Sequence, residues 1–287
     1  MDFLTEFDRS LRQPHVAPEV LAIHIAGLAY PDLEPRAIIA DLDDLAASMG
    51  AHLDDVTPGR MTAHAFMAIF VDGFGFAGNA ADYYQPDNSY LNIVLARRTG
   101  LPILLSLVCV ALGRRLGLAI DGAGFPGHFM VRYRHGEESW LLDPFHGRVL
   151  QVDEVQDYLS GLFGQAVSIS QQALTGVTAA AFAQRILNNL RNVYLGNQAW
   201  AEAVQVLDYM LILLPSSTAL LQERALLNYR LGDLERASRD LQRYFSLTGQ
   251  LWHALDLTGD EQGDASRGYG ELIQLFQRIQ EERRRLN

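Results

Sequence analysis

A chain of 287 residues, 49% of them hydrophobic, is long enough for two domains with a substantial apolar core, and 34 acidic against 23 basic residues leave a net charge of -11. That balance repels a phosphate backbone and supplies no basic stripe, so no nucleic-acid partner is expected and an anionic partner of any kind is disfavoured. No apolar stretch reaches the roughly 18 residues of a membrane span, the single cysteine, Cys109, has no disulfide partner, and the acidic start MDFLTEFDRSLRQP carries no secretion or transit pattern; a cytoplasmic protein with no membrane contact is expected.

Residues 1–81 read as helices. Apolar positions recur every three or four residues in VLAIHIAGLAY and AIIADLDDLAASM, with breaks at Pro31 and at Pro58-Gly59 before MTAHAFMAIFVDGFG. Residues 82–170 are richer in glycine and are expected to pass from helices over 89–98 and 102–116 to strands around Phe129 and Leu141. The longest apolar run, residues 101–113, stops at Arg114 and Arg115 and reads as a buried core helix. Helices followed by a hairpin predict an α+β, predominantly helical fold with a small antiparallel sheet.

The helix that Pro102 opens is where a nucleophilic cysteine would gain most, from the partial positive charge and free N–H groups of a helix N-terminus. Pro102 and Ile103 stand there instead. Cys109 lies about two turns farther on, roughly 10 Å along the axis, among Val108, Val110 and Ala111, and reads as an inert core thiol. Ser106 is the candidate nucleophile in its place; its other reading is a hydrogen bond back to the Pro102 carbonyl. Asn88 and Ser89 read as a helix cap with Asn92 on the first turn.

In GHFMVRYRHGEESWLLDPF two strands flank a short turn. Centred on His135 and Gly136, that turn would set Arg134 opposite Glu137, Tyr133 opposite Glu138 and His128 opposite Asp143, with Cβ atoms roughly 4.5 to 5.5 Å apart. A carboxylate at that distance orients an imidazole, which makes His128 and Asp143 the base and orienter of a nucleophile-base-orienter triad. The plainer readings are a structurally tied histidine and, in DPFHG, a turn aspartate. His128, Asp143 and His146 have neither helical i,i+4 spacing nor a cysteine companion, so no metal is expected, and no cofactor.

From residue 178 to the end the sequence is helical again and repeats internally. A shift of 34 residues, the tetratricopeptide period, carries Trp200 onto Leu234, Ala203 onto Ala237 and Leu207 onto Leu241, with Tyr194 on an inner helix face and Pro215 closing the first unit. Two units and a final helix are fewer than the three or so that bury a continuous core, so packing on the preceding domain is expected. Arg283 to Arg285, after Glu281 and Glu282, read as the solvated last turn of a helix.

The runs NSYLNIVLARRTGLPILLSLVCVALGRRLGL, GFPGHFMVRY and WLLDPFHGRVL, in that order, resemble the transglutaminase-like superfamily, in particular the bacterial SirB-type subgroup that joins this core to tetratricopeptide repeats. The likeness covers about residues 21–150 and, with the repeats, reaches about 247. It implies a papain-like core in which a cysteine at a helix start attacks a carboxamide, a strand histidine is the base and an aspartate on the next strand orients it. His128 matches that histidine and Asp143 that aspartate. Counting back from Arg115 and Gly117 puts the cysteine position at or beside Pro102. The resemblance therefore implies a core without thiol chemistry, whose repeats and residual pocket (Pro102, Asn88, Asn92, Gly127) bind a protein or peptide. The alternatives are a slow hydrolase or acyl transferase acting on amide bonds through Ser106 or a water activated by His128, and an adaptor in which the pair only braces the hairpin. The sequence specifies no oligomeric state.

Overall fold

The apolar run after Leu101 folds into a helix, α6 (Pro102–Arg115), buried along its whole length from Pro102 to Gly113. A helix that is apolar on every side must be covered on every side. In the computed structural model, which describes residues 1–125, 127–170, 175–249 and 267–286, that cover comes from two layers. On one side lie α1 (Phe3–Leu11), α2 (Pro18–Ala26), α3 (Pro35–Leu53) and α5 (Leu91–Arg97), of which α2, α3 and α5 touch α6 directly, while α4 (Arg60–Ala68) packs against both α3 and the sheet. At its C-terminal end Arg115 pairs with Glu19 at 2.8 Å and Asp43 at 2.6 Å, cation against helix C-terminus as the dipole favours.

The other layer is an antiparallel meander of β3 (Ala119–Phe125), β4 (His128–His135), β5 (Glu138–Asp143) and β6 (Arg148–Gln151), with β3 and β4 against α6. A two-residue parallel pair, β1 (Ala77–Gly78) and β2 (Thr99–Gly100), lies before α6. The expected α+β class with a small antiparallel sheet is what the protein forms. The hairpin register differs from expectation: β4 and β5 pair Arg134 with Ser139 and His135 with Glu138, two residues away from the predicted ladder. The cause is the turn, which centres on Gly136 and Glu137; Gly136, at φ 59°, supplies the positive φ that the first position of a tight hairpin turn needs.

Gly122 on β3 fixes how the next helices approach the sheet. After α7 (Val155–Phe163), helix α8 (Ala179–Gly196) lays Phe182 over it, and a Cβ built on Gly122 would stand 2.5 Å from the Phe182 ring and 2.9 Å from Phe129. Gly122→Ala is therefore expected to cost about 1–3 kcal/mol by overpacking. Urea titration should show a lower midpoint at an unchanged slope; an undiminished midpoint would mean the aromatic pair yields freely.

Contacts divide the protein into residues 1–193 and 194–287. Most of α8, placed with the repeats in the expectation that they begin at 178, belongs to the first unit. In the second, α9 (Trp200–Leu213) and α11 (Leu234–Leu247) start and stop 34 residues apart, and Ala203, Leu207, Ala237 and Leu241 are all fully buried. Helix α10 (Thr218–Arg230), α11 and the last helix, α12 (Arg267–Leu286), enclose Phe245, Phe276 and Ile279. Arg224 ties Asp208 to Asp240 at 2.7 and 2.6 Å. No described helix is long and apolar enough to cross a membrane.

Candidate functional site

Asp143 ends β5, and its buried carboxylate gathers five donors. Oδ2 accepts from His128 Nε2, His146 Nδ1 and the Tyr158 hydroxyl, each at 2.8 Å; Oδ1 accepts from the Phe145 and His146 amides at 3.0 and 3.2 Å. The predicted pair thus meets in spite of the displaced register. Side chains alternate faces with period two, so a slip of two residues leaves His128 and Asp143 on one face as diagonal neighbours, still within reach of an imidazole. Burial alone would raise the Asp143 pKa. The hydrogen bond from His128, the attraction of its charge and the bonds from His146 and Tyr158 outweigh it and hold the carboxyl well below the usual range. Tyr158 moves the other way, raised by burial and then by the Asp143 charge. With Nε2 committed to Asp143, Nδ1 is the His128 nitrogen left for a ligand or a proton.

Among the described residues, His128, Asp143 and His146 form the group that could hold a metal ion, their ligand atoms lying within 4.8 Å of one another. The 2.8 Å contacts are hydrogen bonds. Ligands of a tetrahedral zinc at roughly 2.0–2.1 Å from the metal stand more than about 3.2 Å apart, and the phenol of Tyr158 already occupies the same carboxylate oxygen.

Beside His128 opens a cavity of about 240 Å³ lined by Tyr83, Pro102, Ile103, Gly127, His128, Phe129, Arg185, Asn188 and Asn189. Of the expected pocket residues, Pro102 and Gly127 line it. Asn88 does not: it is buried behind the wall, donating to the Asp82 and Tyr83 carbonyls at 2.6 and 3.2 Å, while its own backbone carbonyl accepts from the Leu101 amide. It positions both Tyr83 and the start of α6. Asn92 lines a different cavity, with Asp41 and Arg98, and its Oδ1 is buried without a hydrogen bond among the described residues. Nor do Asn88 and Ser89 cap a helix: they end a 3₁₀ turn, and α5 follows Tyr90 with no side-chain cap.

Ser106 is fully buried and donates to the Phe129 carbonyl at 3.3 Å, across to β4 rather than back along its own helix to Pro102. Cys109 is equally buried, its thiol pKa raised well above normal by desolvation and then by the Asp143 charge. The residues that sequence reasoning missed are Tyr83, Ile103, Tyr158, Arg185, Asn188 and Asn189. The last three share one face of α8 at i, i+3 and i+4, but Gln184, Arg191 and Asn192 are polar too, so spacing alone does not single them out.

Residues 36–188 match the transglutaminase-like superfamily and residues 190–258 the tetratricopeptide repeat. A UPF0162 protein of Xylella fastidiosa is 32% identical over 230 residues, 79% of this chain and 82% of that protein. Another UPF0162 protein, from Pseudomonas aeruginosa, is 31% identical over 228 residues, 79% and 83% of the two sequences. Human F-box only protein 21 is 33% identical over 178 residues, covering 57% of this chain but 27% of its own. No solved structure matches. With its family match spanning α3 to α8 and the histidine-aspartate pair inside it, this protein belongs to the transglutaminase-like superfamily and carries a tetratricopeptide repeat region behind that core.

Proposed function

We propose that this protein is a non-catalytic member of its superfamily that holds a protein or peptide segment through the His128 cavity and the helical repeats. The observation that supports it is the cavity wall: among the described residues lining it there is no thiol and no aliphatic hydroxyl. Acyl transfer needs a nucleophile within roughly 2.6–3.2 Å of its base. Here the base and its orienter persist, but Pro102 fronts the cavity where sulfur is required, Cys109 is sealed in the core, and the Ser106 hydroxyl is spent on Phe129. A partner is suggested by the repeats, whose kind commonly presents a binding surface. The joining of the two regions in this order supports placement in the SirB-type subgroup, and a lone buried thiol suits the cytoplasm.

The intact His128–Asp143 bond favours one second reading, a water activated by His128, since general-base help alone gives roughly 10²- to 10⁴-fold. One experiment decides between them. Glutamine- and asparagine-containing peptides are incubated with the purified full-length protein, and released ammonia and cleaved peptide are quantified. We expect the wild type and His128→Ala to be equally inactive. Turnover that disappears in His128→Ala would replace the binding reading with the hydrolytic one.

A further inference from the structure

We infer that the His128 cavity is built to receive a carboxylate, with the Arg185 guanidinium as its counter-charge and the Asn188 and Asn189 amides beside it. The inference rests on the reading of this cavity as a peptide-binding pocket and names the group it would recognise.

The three residues stand at i, i+3 and i+4 on α8, so they share one helix face, and all three line the cavity. Arg185 donates from Nη1 to the His128 carbonyl at 3.2 Å and from Nη2 to the Phe125 carbonyl at 3.1 Å, and its guanidinium carbon lies over the Phe129 ring, 5.3 Å from the centroid. These partners hold the group in place and leave its charge unanswered. Several other arginines of this unit meet carboxylates: Arg115 has Glu19 and Asp43, Arg132 has Asp121, Arg97 has Asp87. Arg185 meets none among the described residues, in a protein with eleven more acidic than basic side chains. Burial accordingly lowers its pKa, with no carboxylate to raise it again.

A half-buried cation without a counter-ion is a cost that a bound anion removes. A guanidinium carries five N–H donors, two of them used here, and its planar fork matches a carboxylate. Ile103, also on the wall, is at the N-terminal turn of α6, whose partial charge has the same sign. The overall charge of -11 disfavours anionic partners, and polyanions most of all. Its long-range repulsion rises with ligand charge, so a singly charged carboxylate is the anion least penalised, and about 240 Å³ admits one carboxylate with a short stem. The source is an acidic side chain or the free C-terminus of a peptide.

The test follows the Asn188 and Asn189 side-chain amide signals of the full-length protein by NMR during titration with four probes. These are N-acetyl-alanyl-alanine and its C-terminal amide, and N-acetyl-glutamate α-amide and its glutamine counterpart. The carboxylate member of at least one pair is expected to bind tenfold or more tighter than its neutral twin; which pair discriminates identifies the source. Arg185→Gln should abolish that preference. Since Arg185 also braces two carbonyls, Asn188→Asp serves as a second variant that leaves the brace intact and sets a like charge in the cavity, again with a tenfold or greater loss. Equal binding of charged and neutral twins, or full carboxylate affinity in Asn188→Asp, overturns the inference and leaves peptide binding standing. If none of the four probes moves the signals, both fall.

Discussion

Replacing Asp143 with alanine is expected to lower the free energy of unfolding by about 3–5 kcal/mol, because it removes a buried charge and strands its donors. The carboxylate is fully buried and takes hydrogen bonds from two imidazoles, a phenol and two backbone amides. None of these has a replacement acceptor in a methyl group. Asp143→Asn keeps an acceptor for the two amides and should cost less, about 1–3 kcal/mol. The same cluster predicts a pH dependence. The Asp143 carboxyl is depressed in the folded protein: burial raises it, but the hydrogen bond and the charge of His128, with the hydrogen bonds from His146 and Tyr158, more than offset that. A group depressed by folding adds stability that is complete above its unfolded value, about 3.9, and is lost as pH falls through and below it. Urea unfolding of wild type and Asp143→Ala should therefore differ most near neutrality and converge as the solution is taken below about pH 4. A gap under about 1 kcal/mol at neutral pH, or one that widens in acid, would contradict a buried ionised carboxylate.

Period and propensity explain which parts of this architecture are legible in the residues. The run ending at Arg114 and Arg115 is apolar on every face, and only a central helix accommodates it, as α6 does. The 34-residue shift needs no pairwise contact to be seen, and α9 and α11 obey it from first residue to last. His128 and Asp143 come together although the expected register is off by two, since an even slip preserves the face of a strand. β3 escapes because AIDGAGF contains Gly122 and Gly124, residues depleted in strands; Gly122 is there to make room for Phe182, a contact 60 positions distant in the sequence. Asn88 and Asn92 lie near each other in sequence, yet one braces Leu101 and Tyr83 while the other faces a separate cavity. Nothing local distinguishes them. Arg185 is the hardest case: its partners are the Phe125 and His128 carbonyls, and backbone acceptors leave no trace in side-chain patterns.

A thiol installed at position 102 is expected to be alkylated by iodoacetamide on the order of 100-fold faster than Cys109 in the folded protein. The two proteins to compare are the double variant Pro102→Cys with Cys109→Ala, and the wild type. Position 102 is the first residue of α6 and shares the cavity with His128, so a sulfur there meets free N–H groups, the positive end of a 14-residue helix and an imidazole oriented by Asp143. Each favours the thiolate. Cys109 has the opposite surroundings, fully buried and with its pKa raised, so its reaction awaits unfolding and should appear only as urea is added. Adding His128→Ala to the Pro102→Cys protein should slow alkylation again, which separates the imidazole's share from the helix's. Loss of proline from a first helical turn is a mild change, so the fold should persist. Slow alkylation at 102 that ignores His128 would mean that the imidazole does not address the helix start, and the likeness of this site to a thiol triad would end at the histidine-aspartate bond. Fast alkylation without carboxamide turnover would instead show that reactivity and catalysis part company here: a thiolate can attack, but the cavity beside it is furnished with Arg185, Asn188 and Asn189, groups suited to holding a charged ligand still.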